Sequence, residues 1–492
     1  MTTREKKSLR IIRRSKWLEW RNRRPHKNKS SGGKRVDKHP KTERELPVPR
    51  NFRRKFKSSG PSSYDNKRRK QQRTELIQKQ IPEILGYIIR NAKSPLNLKD
   101  IVKHQYATNG YVEMPVNFSV LENPEVSFET IRKILSALLV EDVSWLTIDY
   151  NLCTHVDIST QALLDIILLD FCKFRDKCNK ISRYGRLFPN IRGINIKEKT
   201  VQKMMFSVGS PANLKIQTNE YSDVIRYKLN VHKNDKEANY LKRIEQKELD
   251  TSDIADYVIK CLKRMNRKLT PTKRDDLCTV IGEILINAEE HSTTKYRYSM
   301  GYFVEEKKDN KHFGVFRLVI LNFGDTIYDK FKSEDCPNKE IVAKMQSLSK
   351  KYTKRLLFKK GLFEEESLWT LYALQEGITS ISTEKYKRGN GSIRFIESFF
   401  NIKGSKEADD VSVMTIASGR TRILFNGYYG IQTKKNELGE DFRVMTFNHS
   451  GNIEEQPDDK YVFCANHFFP GTMITAKILL NDDDLNTLQQ YE

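Results

Sequence analysis

Glu283, Asn287 and His291 stand four residues apart in the stretch DDLCTVIGEILINAEEHS (275–292). At helical periodicity this stacks a carboxylate, an amide and an imidazole along one stripe of about two turns. A carboxylate can orient or deprotonate a water, and an uncharged amide oxygen can ligate a hard cation such as magnesium without adding charge. Taken alone, the spacing has a plainer reading, a solvated helix face carrying ordinary i,i+4 hydrogen bonds. The element that must position these groups is legible beside them. Leu277, Val280, Ile281, Ile284, Leu285 and Ala288 recur at i, i+3, i+4 and i+7, so one face of the same helix packs inward.

The string EILINAEEH resembles the ExxxNAxxH signature of the histidine-kinase-like ATPase superfamily, which includes gyrase, mismatch-repair ATPases, sensor kinases and anti-sigma-factor serine kinases. The match is closest to the anti-sigma type. The resemblance implies ATP and Mg2+ as cofactors. Glu283 would be catalytic, positioning or activating the attacking group; Asn287 would bind the magnesium, and His291 would lie near the phosphates. Further stretches follow in the family's order. LNFGDT resembles the DxGxG box: Gly324 matches, while Asn322 stands where the family has the Asp that accepts from the adenine amine, and Thr326 replaces the second glycine. An Asn oxygen still accepts, without charge-assisted strength. In KRGNGSIRF, Gly389 and Gly391 precede a helical pattern and let the backbone approach a polyphosphate that the helix N-terminus favours. This resembles the second glycine box. Gly471-Thr472 before an alternating strand resembles the GT element, whose Thr helps hold a water at the adenine; a strand-initiating turn reads the same way. The resemblance covers about 250 to 480 and implies an α/β sandwich.

A second region, 112–211, alternates helix and strand: VSFETIRKILSALL, WLTIDYNL, STQALLDIILLDFCKF beginning at Ser159 or Thr160, GINI, and EKTVQKMMFSVG. Its centre resembles a STAS domain, the fold of anti-anti-sigma factors. That resemblance places Ser159 on the phosphoacceptor position, with Ile158 and Thr160 departing from the DSSG pattern. A helix N-cap is the plainer reading of Ser159.

The chain of 492 residues is long enough for two or three cores, and its net charge of +25 is unevenly placed. The first 73 residues hold 27 Lys and Arg against 6 acidic residues, and few large aliphatics. Such a segment cannot bury enough apolar area to offset its ordering entropy, so disorder is expected. Trp17 and Trp20 among arginines suit stacking on bases or contact with phosphates, although charge alone does not choose the polyanion. Seven scattered cysteines without CxxC spacing argue for a reducing compartment and against a zinc site. With no apolar stretch of spanning length, a soluble cytoplasmic protein without a membrane span is expected.

The expected organisation is α/β: a disordered basic tail (1–73), a helical connector (74–111), a STAS-like domain (112–211), a polar linker (212–248) and an ATPase domain (249–492). The expected function is an ATP-dependent switch or anti-sigma-type serine kinase, acting with its own STAS-like domain or a partner's. An ATP-driven clamp, or a non-hydrolysing module that binds nucleic acid through the tail, are the competing readings.

Overall fold

The computed structural model describes residues 63–183, 185–233, 239–290, 293–308, 311–353, 363–378, 391–403, 411–435, 439 and 441–481. The basic segment 1–62, with Trp17 and Trp20, lies outside the described residues. Ser63–Glu492 forms one compact unit of mixed α/β structure.

Its first part holds helices α1 (Ser63–Gln80), α2 (Glu83–Arg90) and α3 (Leu98–His104), then strands β1 (Tyr111–Glu113) and β2 (Asn117–Phe118). Next come α4 (Pro124–Leu135), β3 (Trp145–Asp149), β4 (His155–Val156), α5 (Ile158–Ile181), β5 (Asn190–Ile194), α6 (Lys199–Ser207) and α7 (Ser210–Asn213). Strands β1, β3 and β5 pair in parallel, with Thr147 opposite Tyr111 and Arg192. Parallel pairing requires crossover connections, and α4 and α5 supply them. Helix α5 starts one residue earlier than the sequence pattern indicates. Its N-cap is Asp157, whose carboxylate accepts from the Ser159 and Thr160 amides at 3.1 Å each. An ionised cap outcompetes the two hydroxyls because a carboxylate is the stronger acceptor and complements the helix dipole.

Helix α1 begins inside the segment whose composition suggests disorder. The reason lies in two of the residues that make it look disordered: Arg69 and Arg73 each reach Asp142 at 3.4 Å, and Arg73 is buried with its guanidinium 5.2 Å from the Phe188 ring. Cationic residues can contribute packing through their stems and planar heads.

The second part holds β6 (Val224–Lys233), α8 (Tyr240–Arg264), α9 (Pro271–Glu290), β7 (Tyr296–Lys308) and β8 (Lys311–Phe323). After these come α10 (Ile327–Lys332), α11 (Lys339–Thr353), α12 (Glu365–Ala373), α13 (Gly391–Lys403), β9 (Val413–Phe425), β10 (Gln432–Lys435), β11 (Asp441–Val444) and β12 (Val462–Asn481). Five of these strands make an antiparallel sheet in the order β6-β7-β8-β12-β9. The stretch 212–248 is therefore not a linker: it supplies an edge strand of the main sheet and the first turns of α8, which is capped by Asn239. Arg226, Lys228 and Lys233 of the strand and Lys242, Glu245 and Glu248 of the helix are exposed, so composition alone reads as linker.

Because side chains alternate across a strand, the sheet has two distinct faces. Phe316, Leu318 and Ile320 of β8, with Ile474 and Ile478 of β12, join one core with Ile254, Val258, Ile281, Ile284, Leu285, Ile393 and Ile396 of α8, α9 and α13. Val319, Leu321 and Phe323, with Tyr298 and Met300 of β7, point the other way and join the core of the first part, where α5 packs against β7 and β8. Each such buried side chain contributes about 1.5–3 kcal/mol.

Candidate functional site

On the face covered by α8, α9 and α13, the apolar ladder ends in a rung of polar residues. Register places His232 (β6) beside Arg297 (β7), Arg297 beside Asn322 (β8), Asn322 beside Thr472 (β12), and Thr472 beside Ser418 (β9). All five are buried. Cross-strand partners share a face, so this line of hydrogen-bonding groups crosses the whole sheet at one end.

At the β6 side Asp250 of α8 pairs with the rung. Its carboxylate lies 2.8 Å from His232 Nδ1 and accepts from Arg297 Nη2 and Gln246 Nε2 at 2.8 Å each. Burial pushes the Asp250 carboxyl up, yet the contacts with His232, Gln246 and Arg297 outweigh it and hold the group below the usual carboxylate range. His232 Nε2 lies 2.9 Å from Ser299 Oγ, which also meets the Tyr227 hydroxyl at 2.9 Å. These are the distances of a Ser-His-Asp relay, but Ser299 is 1% exposed beneath α8, so no acyl group can reach it. The cluster satisfies buried charge and fixes β6 and α8 to the sheet.

At the β8 side the rung is not satisfied. Asn322 is 1% exposed, and its amide nitrogen has no hydrogen-bond partner among the described residues. Its neighbour Thr472 has its hydroxyl 2.9 Å from that of Ser418, which accepts from the Ile327 amide at 2.9 Å. Gly471 holds φ +149°, and a Cβ there would fall 2.1 Å from the Asn322 carbonyl oxygen and 2.8 Å from Phe323 Cα, so only glycine permits this crossing. Gly324 donates its amide to the Pro470 carbonyl at 3.2 Å. The glycines of two separate sequence stretches thus meet at the end of one strand pair.

Helix α9 approaches the same end. Pro271 opens it, where a missing N–H costs nothing, and Leu277, Val280, Ile281, Ile284 and Leu285 bury its inner face. The chain leaves α9 at Glu290 and enters β7 at Tyr296, one residue before Arg297 of the rung, and Thr294 donates its hydroxyl to the Phe323 carbonyl at 2.8 Å. Glu283, two turns before the helix end, has Oε1 3.7 Å from the Arg394 guanidinium, while its Oε2 is buried without a hydrogen-bond partner among the described residues. Arg394 lies in the first turn of α13, which begins at Gly391 and packs on α9. Asn287 falls on the described backbone of α9, but its side chain lies outside the described residues, as do His291 and Gly389.

The structure therefore brings Asn322, Gly324 and Thr472 together at one sheet end beside the exit of α9, and it brings Glu283 to the start of α13. Thr326, in place of the family's second glycine, caps α10 in a reciprocal capping box with Asp329, at 2.8–3.2 Å. Ser159 is elsewhere. It is fully buried on α5, the helix that packs on the opposite sheet face, and its hydroxyl donates to Asp157. Sequence reasoning passed over His232, Asp250, Arg297 and Ser299. Their signal was alternation: Arg297 and Ser299 are polar at i and i+2 in a strand whose other face is Tyr298, Met300 and Tyr302.

An all but apolar cavity of about 30 Å³ between α8, α9, α13 and the sheet is lined by Val258, Ile281, Phe316, Leu318, Phe399 and Ile478, among others. It sits in the middle of the core, four residues along β8 from Asn322, and takes no part in the rung. No family model, curated protein or solved structure matches this chain. The fold and site define a mixed α/β protein with an unsatisfied polar rung between a sheet and a covering helix. No helix among the described residues is long and apolar enough to cross a membrane.

Proposed function

We propose that the second part of this chain is an ATP-binding domain of the histidine-kinase-like type and that the protein is an ATP-dependent regulatory switch. The observation that carries this reading is the pairing of Asn322 with Thr472 on the helix-covered sheet face, with one amide atom buried and unpartnered. The residues present fit a nucleotide. Asn322 and Thr472 are the groups to hold the base, the N-terminus of α13 at Gly391 suits phosphates, and Glu283 is the group to position a water. Asn287 is the residue to hold the magnesium, which when bound neutralises charge on the phosphates.

The same arrangement bears on what the nucleotide is for. The STAS-like part packs against the back of the sheet that carries the rung, so an ordered rung and the α5 contact share strands β7 and β8. Transfer to Ser159 within the same molecule is disfavoured, because its hydroxyl is buried and bound to Asp157. This favours a switch, or transfer to a partner's STAS-like domain, over self-phosphorylation. The basic segment 1–62 is proposed to bind nucleic acid without sequence preference.

Isothermal titration with Mg-ATP and with a nonhydrolysable analogue tests the reading. Both should bind at one site per chain, and absence of heat with either nucleotide, by a protein that unfolds cooperatively, overturns it.

A further inference from the structure

Parallel strands are ordinarily covered on both faces. The sheet of β1, β3 and β5 leaves one face open. Val112, Leu146 and Ile148 point into the core of the first part, whereas Tyr111, Trp145 and Arg192, on the alternate positions, face outward. Tyr111 is 48% and Trp145 46% exposed, and Arg192 is exposed beside them. Register makes the three neighbours: Thr147, two residues on from Trp145, stands opposite Tyr111 on one side and Arg192 on the other. Two residues along a strand and one strand across set the two ring-bearing positions about 8 Å apart.

Both rings are held in place. Tyr111 gives its hydroxyl to Asp149, which also accepts from Asn195 Nδ2 at 3.0 Å. Arg192 gives Nε to Thr147 Oγ1 at 3.0 Å and sets its guanidinium 5.7 Å from the centre of the Trp145 ring. Aromatic surfaces that are already ordered lose little freedom when a planar group stacks on them. The charge beside them is mostly of one sign. Lys180, Arg183, Arg186, Arg192, Lys197 and Lys199 lead into and out of β5, an edge strand; all six are exposed, and from Lys180 to Lys199 the single acidic residue is Glu198. The acidic side of the face is β1, where exposed Glu113 stands opposite Asp149. We propose that this open face holds a single strand of nucleic acid, its phosphates along the basic β5 edge and its bases turned inward to stack on Trp145 and Tyr111. Every base has a π-face, and unpaired bases can splay onto a flat sheet where the stacked pairs of a duplex cannot. The face is distinct from segment 1–62, whose charge attracts single strand and duplex alike.

The test is fluorescence anisotropy of the full chain with a labelled oligouridylate of about ten nucleotides and with a duplex of the same length. Trp145→Ala and Tyr111→Ala, each checked for cooperative thermal unfolding, should weaken the oligouridylate by roughly fivefold or more and leave duplex affinity unchanged. Arg183→Gln together with Arg186→Gln should make the fall of log affinity with log salt shallower by about 1.4, since each phosphate neutralised on a single strand contributes about 0.7. A second readout locates the strand: oligouridylate carrying iodouridine, irradiated on the full chain, should crosslink at Trp145 or Tyr111. Oligouridylate affinity that neither ring substitution changes overturns the proposal, and so do crosslinks confined to segment 1–62. Sedimentation that shows wild type self-associating and Trp145→Ala monomeric also overturns it, because the face would then be covered by a second copy of the chain.

Discussion

Asp165 gives the chain a pH dependence that can be worked out in advance. It lies within α5, 1% exposed, and its carboxylate accepts from Gln161 Nε2 and Asn213 Nδ2 at 2.6 Å each and from the Ser210 hydroxyl. Burial pushes the carboxyl up to about 7 from a reference of 3.8, against the pull of those three donors, and Tyr150 is buried near it. Because the folded value is the higher one, the native state holds a proton that the unfolded state has lost, so stability falls as pH rises through this window. At about 1.36 kcal/mol per unit, the loss approaches about 4 kcal/mol above neutrality. From about pH 5 to about pH 8 it is about 2.5 kcal/mol. Asp165→Asn keeps an acceptor oxygen and cannot titrate. Urea unfolding of both proteins at the two pH values should show wild type losing about 2.5 kcal/mol relative to Asp165→Asn, with every other titrating group cancelling in the difference. A gap that stays constant to within about 0.5 kcal/mol would show that Asp165 keeps an ordinary carboxyl in the fold.

Asn287→Ala should abolish magnesium-dependent ATP binding, while Glu283→Ala should bind Mg-ATP normally and fail to turn it over; titration and phosphate release read the two separately, and wild-type affinity in Asn287→Ala would sink the assignment. Gly471→Ala must move backbone at Asn322 and Phe323, at a cost of about 2–3 kcal/mol, visible as a lowered urea midpoint and weakened ATP binding. A chain beginning at Ser63 should keep its stability and lose salt-sensitive retention on duplex nucleic-acid columns, whereas one beginning at Thr74 should also lose about 1–2 kcal/mol with Arg73 and its Phe188 contact. Full retention by the Ser63 chain would move the binding surface onto the folded part.

The parts of the fold legible in the sequence are those whose periodicity survives burial on one side. Helix α9 and strands β8 and β12 show their inner faces plainly, since Ile281, Ile284, Phe316, Leu318, Ile474 and Ile478 recur at the spacing of their element. Strand β6 does not. It lies at a sheet edge, its buried residues include His232, and the satisfaction of that imidazole depends on Asp250 of the following helix, a pairing no local pattern reveals. In strand β9, the glycine at 419 has the residue type of a turn. It is instead a bulge at φ +57°, where the pairing with β12 shifts register and a Cβ would fall 2.0 Å from Glu366 Oε1. Of the candidate site, the family-like motifs pointed to Asn322, Gly324 and Thr472, but the pairing of Asn322 with Thr472 is a fact of register.

The back of the five-stranded sheet has a consequence for anyone who would cut this protein in two. Tyr298, Met300, Val319, Leu321, Phe323 and Met473 are covered by residues of the first part rather than by water. Expressed from about residue 220 onward, the C-terminal half would carry that stripe bare, an adhesive strip several strands wide, and copies would gather on it face to face. The N-terminal half is not an appendage: its residues complete the core on the back of the sheet. It is the other wall of the house, and removing it leaves an apolar surface that needs another cover.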